Sequence, residues 1–253
     1  ASRCFSDHRP SMEPFYESDA ALTAMAKMHF CRELRFATEP TGYFENTYFE
    51  RIDDLVRSHE VQRERALDLG CGLGASSFLL AERFETVAAS DLSERFIATA
   101  QAIQASGWGA LDNATWELNP RFKRLETSAL EAVAFTVRDA TEHLAETEPV
   151  DLVLALNLIC RLPDLRPFLR GMERAVRPGG LVAFASPYTF GEQHSPKESW
   201  LRLDERGSGV GDMGSLLGHA FELVEVRDIT FPFPDYPRRI HFSTSEVSCW
   251  RRR

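Results

Sequence analysis

The stretch Ala66-Leu67-Asp68-Leu69-Gly70-Cys71-Gly72-Leu73-Gly74-Ala75-Ser76 decides how the rest of the chain is read. Residues 66–69 are a short apolar run broken by one acid, Asp68, and read as a buried parallel strand. Glycines at 70, 72 and 74 follow at every second position, and residues 76–83 continue as a helix. Glycine suits such a turn because the backbone bends sharply and a bulky ligand can lie against it without a Cβ in the way. The helix behind the turn offers unpaired N–H groups to that ligand.

Downstream, residues 86–90 form another apolar strand, ending at Asp91, and Ser93 is placed to cap a helix over 94–105. Residues 107–125 hold Trp108, Trp116 and Pro120 without a clear period, as expected of an insertion or irregular helix. A third strand over 132–137 ends at Asp139 and a fourth over 150–156 ends before Asn157. A helix over 163–176 stops at Arg177-Pro178-Gly179-Gly180, a turn into a fifth strand over 181–186. Residues 221–229 and 244–250 alternate, which predicts a final antiparallel hairpin at the sheet edge. Strands alternating with helices indicate an α/β protein with a doubly wound, mostly parallel sheet. Ahead of the first strand, Ser18 or Asp19 can cap a helix carrying Leu22, Met25, Met28 and Phe30. A turn-rich link over 38–47 leads to a second amphipathic helix over 48–58. We therefore expect an N-terminal helical extension or lid over 1–60 and a cofactor-binding core over 61–253.

The 253 residues suffice to bury a full sheet, and 43% apolar with 26% charged is ordinary for a globular chain. A net charge of −9 argues against nucleic acid as the main partner, since phosphate contacts supply most of that affinity. No window suits a membrane span, and the first eleven residues lack the apolar core of a signal peptide. Five scattered cysteines form no C-x-x-C pair, so no zinc site or disulfide framework is expected. A reducing, cytoplasmic setting follows as the expectation. The chain starts at Ala1 without an initiator methionine, as either a trimmed or excised domain or a chain that has lost Met ahead of Ala1 would.

In an open parallel sheet, ligands sit outside the carboxyl ends of the strands near the switch in strand order. Asp68, Asp91, Asp139 and Asn157 all fall at such ends. Asp91 lies 17 residues after Gly74, where a carboxylate can accept both hydroxyls of a ribose. Asp139 can accept from an adenine amino group, and Asn157 would face the reactive end of a cofactor. Each has a plainer reading: Asp91 and Asp139 as caps of the next helix or turn, Asn157 as a satisfied buried amide. Gly70, Gly72 and Ala75 also meet the relaxed dinucleotide fingerprint, which leaves a nicotinamide oxidoreductase as an alternative.

The run Leu67-Asp-Leu-Gly-Cys-Gly-Leu-Gly74, then Ser90-Asp91-Leu92, Arg138-Asp139-Ala140 and Arg177-Pro-Gly-Gly180, resembles class I S-adenosylmethionine (SAM) methyltransferases in motif order. The resemblance implies a Rossmann-like, seven-stranded sheet and SAM as cofactor, leaving as S-adenosylhomocysteine (SAH). By analogy the cofactor residues are Asp68, Gly70, Gly72, Gly74, Ser76, Asp91, Leu92, Asp139, Ala140 and Asn157. A narrower resemblance, to the methyltransferase of ovothiol biosynthesis, rests on Phe15-Tyr-Glu-Ser-Asp19, His29-Phe30, Asn157-Leu-Ile-Cys-Arg-Leu162, Ser186-Pro-Tyr-Thr-Phe190 and Ser195-Pro-Lys-Glu-Ser-Trp200. The closing residues 221–228 and Trp250-Arg-Arg252 extend it. It departs at Cys160, where an acid is expected, and at Phe190, where a tryptophan is.

That family methylates a ring nitrogen of 5-thiohistidine and is commonly fused behind an iron-dependent sulfoxide synthase, the implied partner. The implied catalytic residues are Tyr188, Asn157 and His241, with no metal. Phe15, Tyr16, His29, Arg161, Tyr188 and Arg239 are the implied substrate contacts; an arginine fork best matches an amino-acid carboxylate. The plainer readings are a packed lid for Tyr16 and His29, a core contact for Tyr188 and surface charges for the cations. A methyltransferase of another amine or thiol, and a non-catalytic domain of the same fold, remain alternatives.

Overall fold

The computed structural model describes residues 16–35, 43–111, 117–236 and 239–253. Helix α1 (Asp19–Phe30) is capped by the Ser18 side chain, and leads into a small antiparallel pair, β1 (Glu33–Arg35) with β2 (Tyr43–Glu45). Helix α2 (Tyr48–Arg57) precedes β3 (Arg65–Leu69), the glycine turn and the short α3 (Ala75–Leu80). There follow β4 (Thr86–Asp91), α4 (Glu94–Ser106), α5 (Pro120–Lys123), α6 (Thr127–Glu131), β5 (Val133–Val137) and α7 (Ala140–Glu146). Then come β6 (Val150–Leu156), α8 (Leu165–Ala175), β7 (Val176–Ser186), α9 (Val210–Leu217), β8 (Phe221–Tyr236) and β9 (Arg239–Arg252).

The large sheet runs β5-β4-β3-β6-β7-β9-β8. Its first five strands are parallel; β9 lies antiparallel between β7 and β8. Every residue of β6 is buried, as expected of a strand covered on both faces. Helix α8 explains part of that cover: Leu165, Phe168, Leu169 and Met172 recur on one face and are buried. Strand order reverses between β3 and β6, so the crevice forms beyond their carboxyl ends, beside the glycine turn.

The N-terminal helices are built into this core. Ala21, Phe30, Tyr48 and Ile52 share one hydrophobic cluster with Ala66, Leu152 and Leu181 of the sheet. Asn46 Nδ2 donates to the Met28 carbonyl at 2.7 Å and the Cys31 carbonyl at 3.1 Å, closing the end of α1. Buried Asp53 of α2 accepts from Arg57 and Arg83, each at 2.6 Å, which fixes α2 to the end of α3.

Besides helix α9, which the sequence reading does not include, three features differ from it. Strand β2 lies within the stretch 38–47 that reads as a turn-rich link, and its partner β1 lies just ahead of that stretch; three-residue strands carry no periodic signal. The terminal hairpin is longer: β8 and β9 stay paired to Tyr236 and Arg239, well past Glu246, where the β7–β9 ladder ends. The outer part of this hairpin is an arm overhanging the carboxyl edge, where Phe231 meets Tyr48 and Phe242 meets Phe44, ring centroids 5.1 and 4.9 Å apart. Arg177-Pro-Gly-Gly lies at the irregular start of β7 instead of in a free turn. A Cβ on Gly180 would sit 2.9 Å from the Asp151 carbonyl, so only glycine fits.

Asp151 itself joins three segments. Its Oδ2 accepts from the Glu64 and Arg65 amides at 3.0 and 2.9 Å, and its Oδ1 accepts from Arg177 at 2.9 Å. Asp151→Ala orphans both amides and is expected to lower stability by about 3 kcal/mol. Urea denaturation checks this, and a loss below about 1 kcal/mol would show the junction to be incidental.

Candidate functional site

The glycine turn is held from beneath. Gly70, Gly72 and Gly74 have φ of 70°, 54° and 83°, the left-handed region that glycine alone enters freely. Asp68, 1% exposed, points under the turn, where its Oδ2 accepts from Ser76 and Ser77 hydroxyls at 2.6 Å each. Its carboxyl thus fastens the start of α3, instead of lying open to a ligand as the sequence suggests. Burial pushes its pKa up to about 6, against the two serine hydrogen bonds, which favour the charged form.

The sign of that shift makes a prediction. A carboxyl with a higher pKa folded than unfolded binds more protons in the native state, so stability falls as pH rises from about 4 to about 6. Asp68→Asn carries no charge anywhere in that window. Its stability relative to the native chain is expected to improve by up to ~3 kcal/mol between pH 4 and pH 7. Denaturant titrations at the two pH values check it; an equal difference at both would refute the assignment.

Asp91, at the end of β4, faces the turn. Its Oδ2 accepts from the Gly72 amide and its Oδ1 from the Ser93 amide, each at 2.9 Å. Burial raises its pKa in spite of those bonds. A carboxylate accepts about four hydrogen bonds, so acceptor capacity remains for two ligand hydroxyls. Asp139 caps α7: its Oδ1 accepts from the Thr141 and Glu142 amides at 2.8 and 3.1 Å. The capping role weighed from sequence is therefore realised at Asp139. Leu92 is partly exposed beside Asp91, and Ala140 is buried in the first turn of α7.

The upper face of the turn is covered. A Cβ on Gly70 would stand 3.0 Å from Leu158, and one on Gly72 would stand 2.9 Å from the His29 ring. His29 is buried, its Nδ1 accepts from the Ala75 amide at 3.4 Å, and burial holds its pKa at about 3. It is a neutral ring seated on the glycine turn. Tyr16 lies edge-on to Phe96 of α4, 6.2 Å between centroids. Phe15 lies outside the described residues.

On the other flank, Asn157 and Tyr188 follow β6 and β7. Asn157 Oδ1 accepts from the Ser245 hydroxyl at 2.6 Å, and Tyr188 donates its hydroxyl to Glu246 Oε1 at 2.6 Å. Burial and the adjacent Glu246 push the Tyr188 phenol far above its ordinary pKa, so it stays protonated. Arg161 Nη1 donates to the Thr189 carbonyl at 2.7 Å, joining the two loops. Tyr188, Phe190 and Trp200 stack in succession, 6.3 and 5.7 Å between centroids. The segments 157–162, 186–190 and 195–200, separate in sequence, therefore form one wall.

Two residues expected at the reacting centre are not brought there. His241 is exposed on the overhanging arm, paired across from Phe233 and about 14 Å along the strand from Ser245. Arg239 lies further out, at the start of β9. Sequence reading missed Tyr48, Ser245 and Glu246; in β9 a serine and an acid stand among other polar residues, Ser243, Thr244 and Ser248, and give no signal of their own.

Comparison with known proteins adds the following. Residues 67–182 match the family described as a methyltransferase domain. The ubiquinone biosynthesis O-methyltransferase of Pseudomonas syringae pv. tomato is 30% identical over 137 residues, 54% of this chain and 50% of that protein. The trans-aconitate 2-methyltransferase of Rhizobium leguminosarum bv. trifolii is 28% identical over 209 residues, 82% of this chain and 68% of that protein. The chain spans about half the length of the ubiquinone-pathway relatives it matches. Among solved structures, the 4+2 cyclase SpnF shares the fold with TM-score 0.58 at 14% identity, over 94% of each chain. YcgJ of Bacillus subtilis does so at 0.53 and 11%, over 81% of this chain and 99% of that one. A cyclase among the neighbours shows that this fold alone does not name a reaction. Residues 67–182 are thus similar to a methyltransferase domain, and the sheet order is that of a Rossmann-like, mostly parallel seven-stranded fold.

Proposed function

We propose that the chain transfers the methyl group of SAM to an imidazole nitrogen of 5-thiohistidine, giving ovothiol A. One observation carries the donor half: Asp91, half-buried and with acceptor capacity to spare, faces three left-handed glycines at the switch in strand order. These residues fit SAM. Gly70 and Gly72 leave no room for a Cβ because Leu158 and His29 lie against them, and Asp91 beside them would take the ribose hydroxyls. Asp139 would meet the adenine amino group through Oδ2, since its two capping bonds fall on Oδ1. The acceptor half rests on the sequence resemblance, supported by the way its segments 157–162, 186–190 and 195–200 gather into one wall.

When bound, SAM supplies an electrophilic sulfonium methyl, which an imidazole lone pair can attack with SAH as the leaving group, without a charged nucleophile on the protein. The chain contributes orientation and exclusion of water, worth roughly 7–11 kcal/mol in well-aligned systems. Tyr188 remains protonated and acts as a hydrogen-bond donor, not as a base. Leu158 shields the turn from the core side and neutral His29 from the N-terminal side, the latter in keeping with residues 1–60 serving as lid over a 61–253 core. An iron-dependent sulfoxide synthase would supply the 5-thiohistidine.

The test is incubation with SAM and 5-thiohistidine, with histidine in parallel, read by mass spectrometry. A methylated thiohistidine with matching SAH is expected; SAH formed only with another amine or thiol would move the acceptor elsewhere. The methyltransferase match over 67–182 favours SAM over the nicotinamide alternative. Tyr188→Phe removes the hydrogen bond to Glu246 and is expected to lower kcat/KM for 5-thiohistidine about tenfold, the worth of one bond to a charged group. SAH affinity should stay as it was; equal kcat/KM would make Tyr188 a packing residue.

A further inference from the structure

Among the described residues, two that are not glycine have positive φ: Asn157 at 56° and Tyr188 at 53°. Asparagine tolerates this region, but a tyrosine there is strained. Both lie just past the carboxyl ends of neighbouring strands, β6 and β7, at the wall described above.

Consecutive residues of β9 hold them. Ser245, fully buried, donates to Asn157 Oδ1 at 2.6 Å and accepts from the buried Tyr48 hydroxyl at 3.4 Å. Glu246 accepts from Tyr188 at 2.6 Å. Side chains alternate across a strand, so adjacent residues address opposite faces, and one strand can reach both loops. The backbone at this point cannot drift. Ser245 is paired with Ile229 of β8, and Glu246 with Ser186 of β7. Room for the Tyr188 ring comes from Gly209, where a Cβ would stand 2.7 Å from it. Unfavourable backbone conformations persist only where the surroundings fix them, and they gather at working sites.

We propose that Ser245 and Glu246 are a positioning pair for methyl transfer. They hold Asn157 and Tyr188 in left-handed backbone, so that the two side chains frame the acceptor beside the donor. Neither touches the reacting atoms; each acts through the residue it grips. The inference rests on the methyl-transfer reading above.

The test uses Ser245→Ala and Glu246→Ala, with Ser245→Thr and Glu246→Gln as variants that keep the hydrogen-bonding atom. Hydrogen exchange is read by mass spectrometry, SAH affinity by calorimetry and turnover with 5-thiohistidine. Ser245→Ala is expected to speed exchange at least tenfold over 157–161, and Glu246→Ala over 188–191, with the rest of the sheet unchanged. SAH affinity should hold within twofold while KM for 5-thiohistidine rises at least tenfold, and the conservative variants should restore most of it. Unchanged exchange in both loops overturns the proposal. So does acceleration spread through the sheet, or SAH affinity and turnover falling together, since either marks a general structural role. If the native chain leaves 5-thiohistidine unmethylated, the acceptor reading fails, and exchange with SAH affinity still decides the pair.

Discussion

Asp91→Ala is expected to weaken SAH binding about a hundredfold, or ~2.7 kcal/mol. Two effects add. The variant removes the acceptor proposed for two ribose hydroxyls, and hydrogen bonds to a charged group are each worth about 1.5–3 kcal/mol. It also frees the Gly72 and Ser93 amides, which Asp91 holds at 2.9 Å, so the glycine turn loses a tether. Asp91→Asn separates the two: its amide oxygen keeps one backbone bond but lacks the charge, and intermediate binding is expected. Calorimetric titration with SAH checks both variants. Native affinity in Asp91→Ala would remove the residue from the donor site and with it the main support for the proposed chemistry.

The second large effect falls on the fold. Gly74→Ala puts a methyl group where φ is 83° and where its Cβ would stand 2.6 Å from the Phe135 ring. Left-handed backbone costs a non-glycine residue roughly 1–2 kcal/mol, and overpacking typically adds 1–3 kcal/mol. A loss of about 2–5 kcal/mol is therefore expected in denaturant unfolding. Phe135→Leu in the same background should return part of it by vacating the space. If Gly74→Ala is as stable as the native chain, the turn relaxes far more readily than its packing indicates.

What could be read in the sequence, and what could not, divides by range. The glycines at 70, 72 and 74 act through their own backbone freedom, and the apolar runs at 66–69 and 150–156 report burial directly; both are local facts. Asp91 and Asp139 were legible as residues at strand ends, yet only coordinates show Asp139 committed to the α7 amides and Asp68 turned inward to two serines. The grip of Ser245 on Asn157 spans 88 residues, and no spacing rule announces it. The arm extends past the alternation over 221–229 and 244–250, and Pro232 and Pro234 lie in the part that the pattern leaves out. Helix α9 was missed in a stretch where glycines at 207, 209, 211 and 214 lower helical propensity.

Those same prolines bear on the chain's behaviour in a crowded solution. Strand β8 is the outermost of its sheet and sixteen residues long, the kind of border on which a foreign strand can dock and seed aggregation. Pro232 and Pro234, two apart, lack amide hydrogens on one and the same side, and Glu225, Arg227 and Asp228 place charge along the remainder. The overhanging hairpin is thereby built to lean on its own N-terminal helices while refusing strangers.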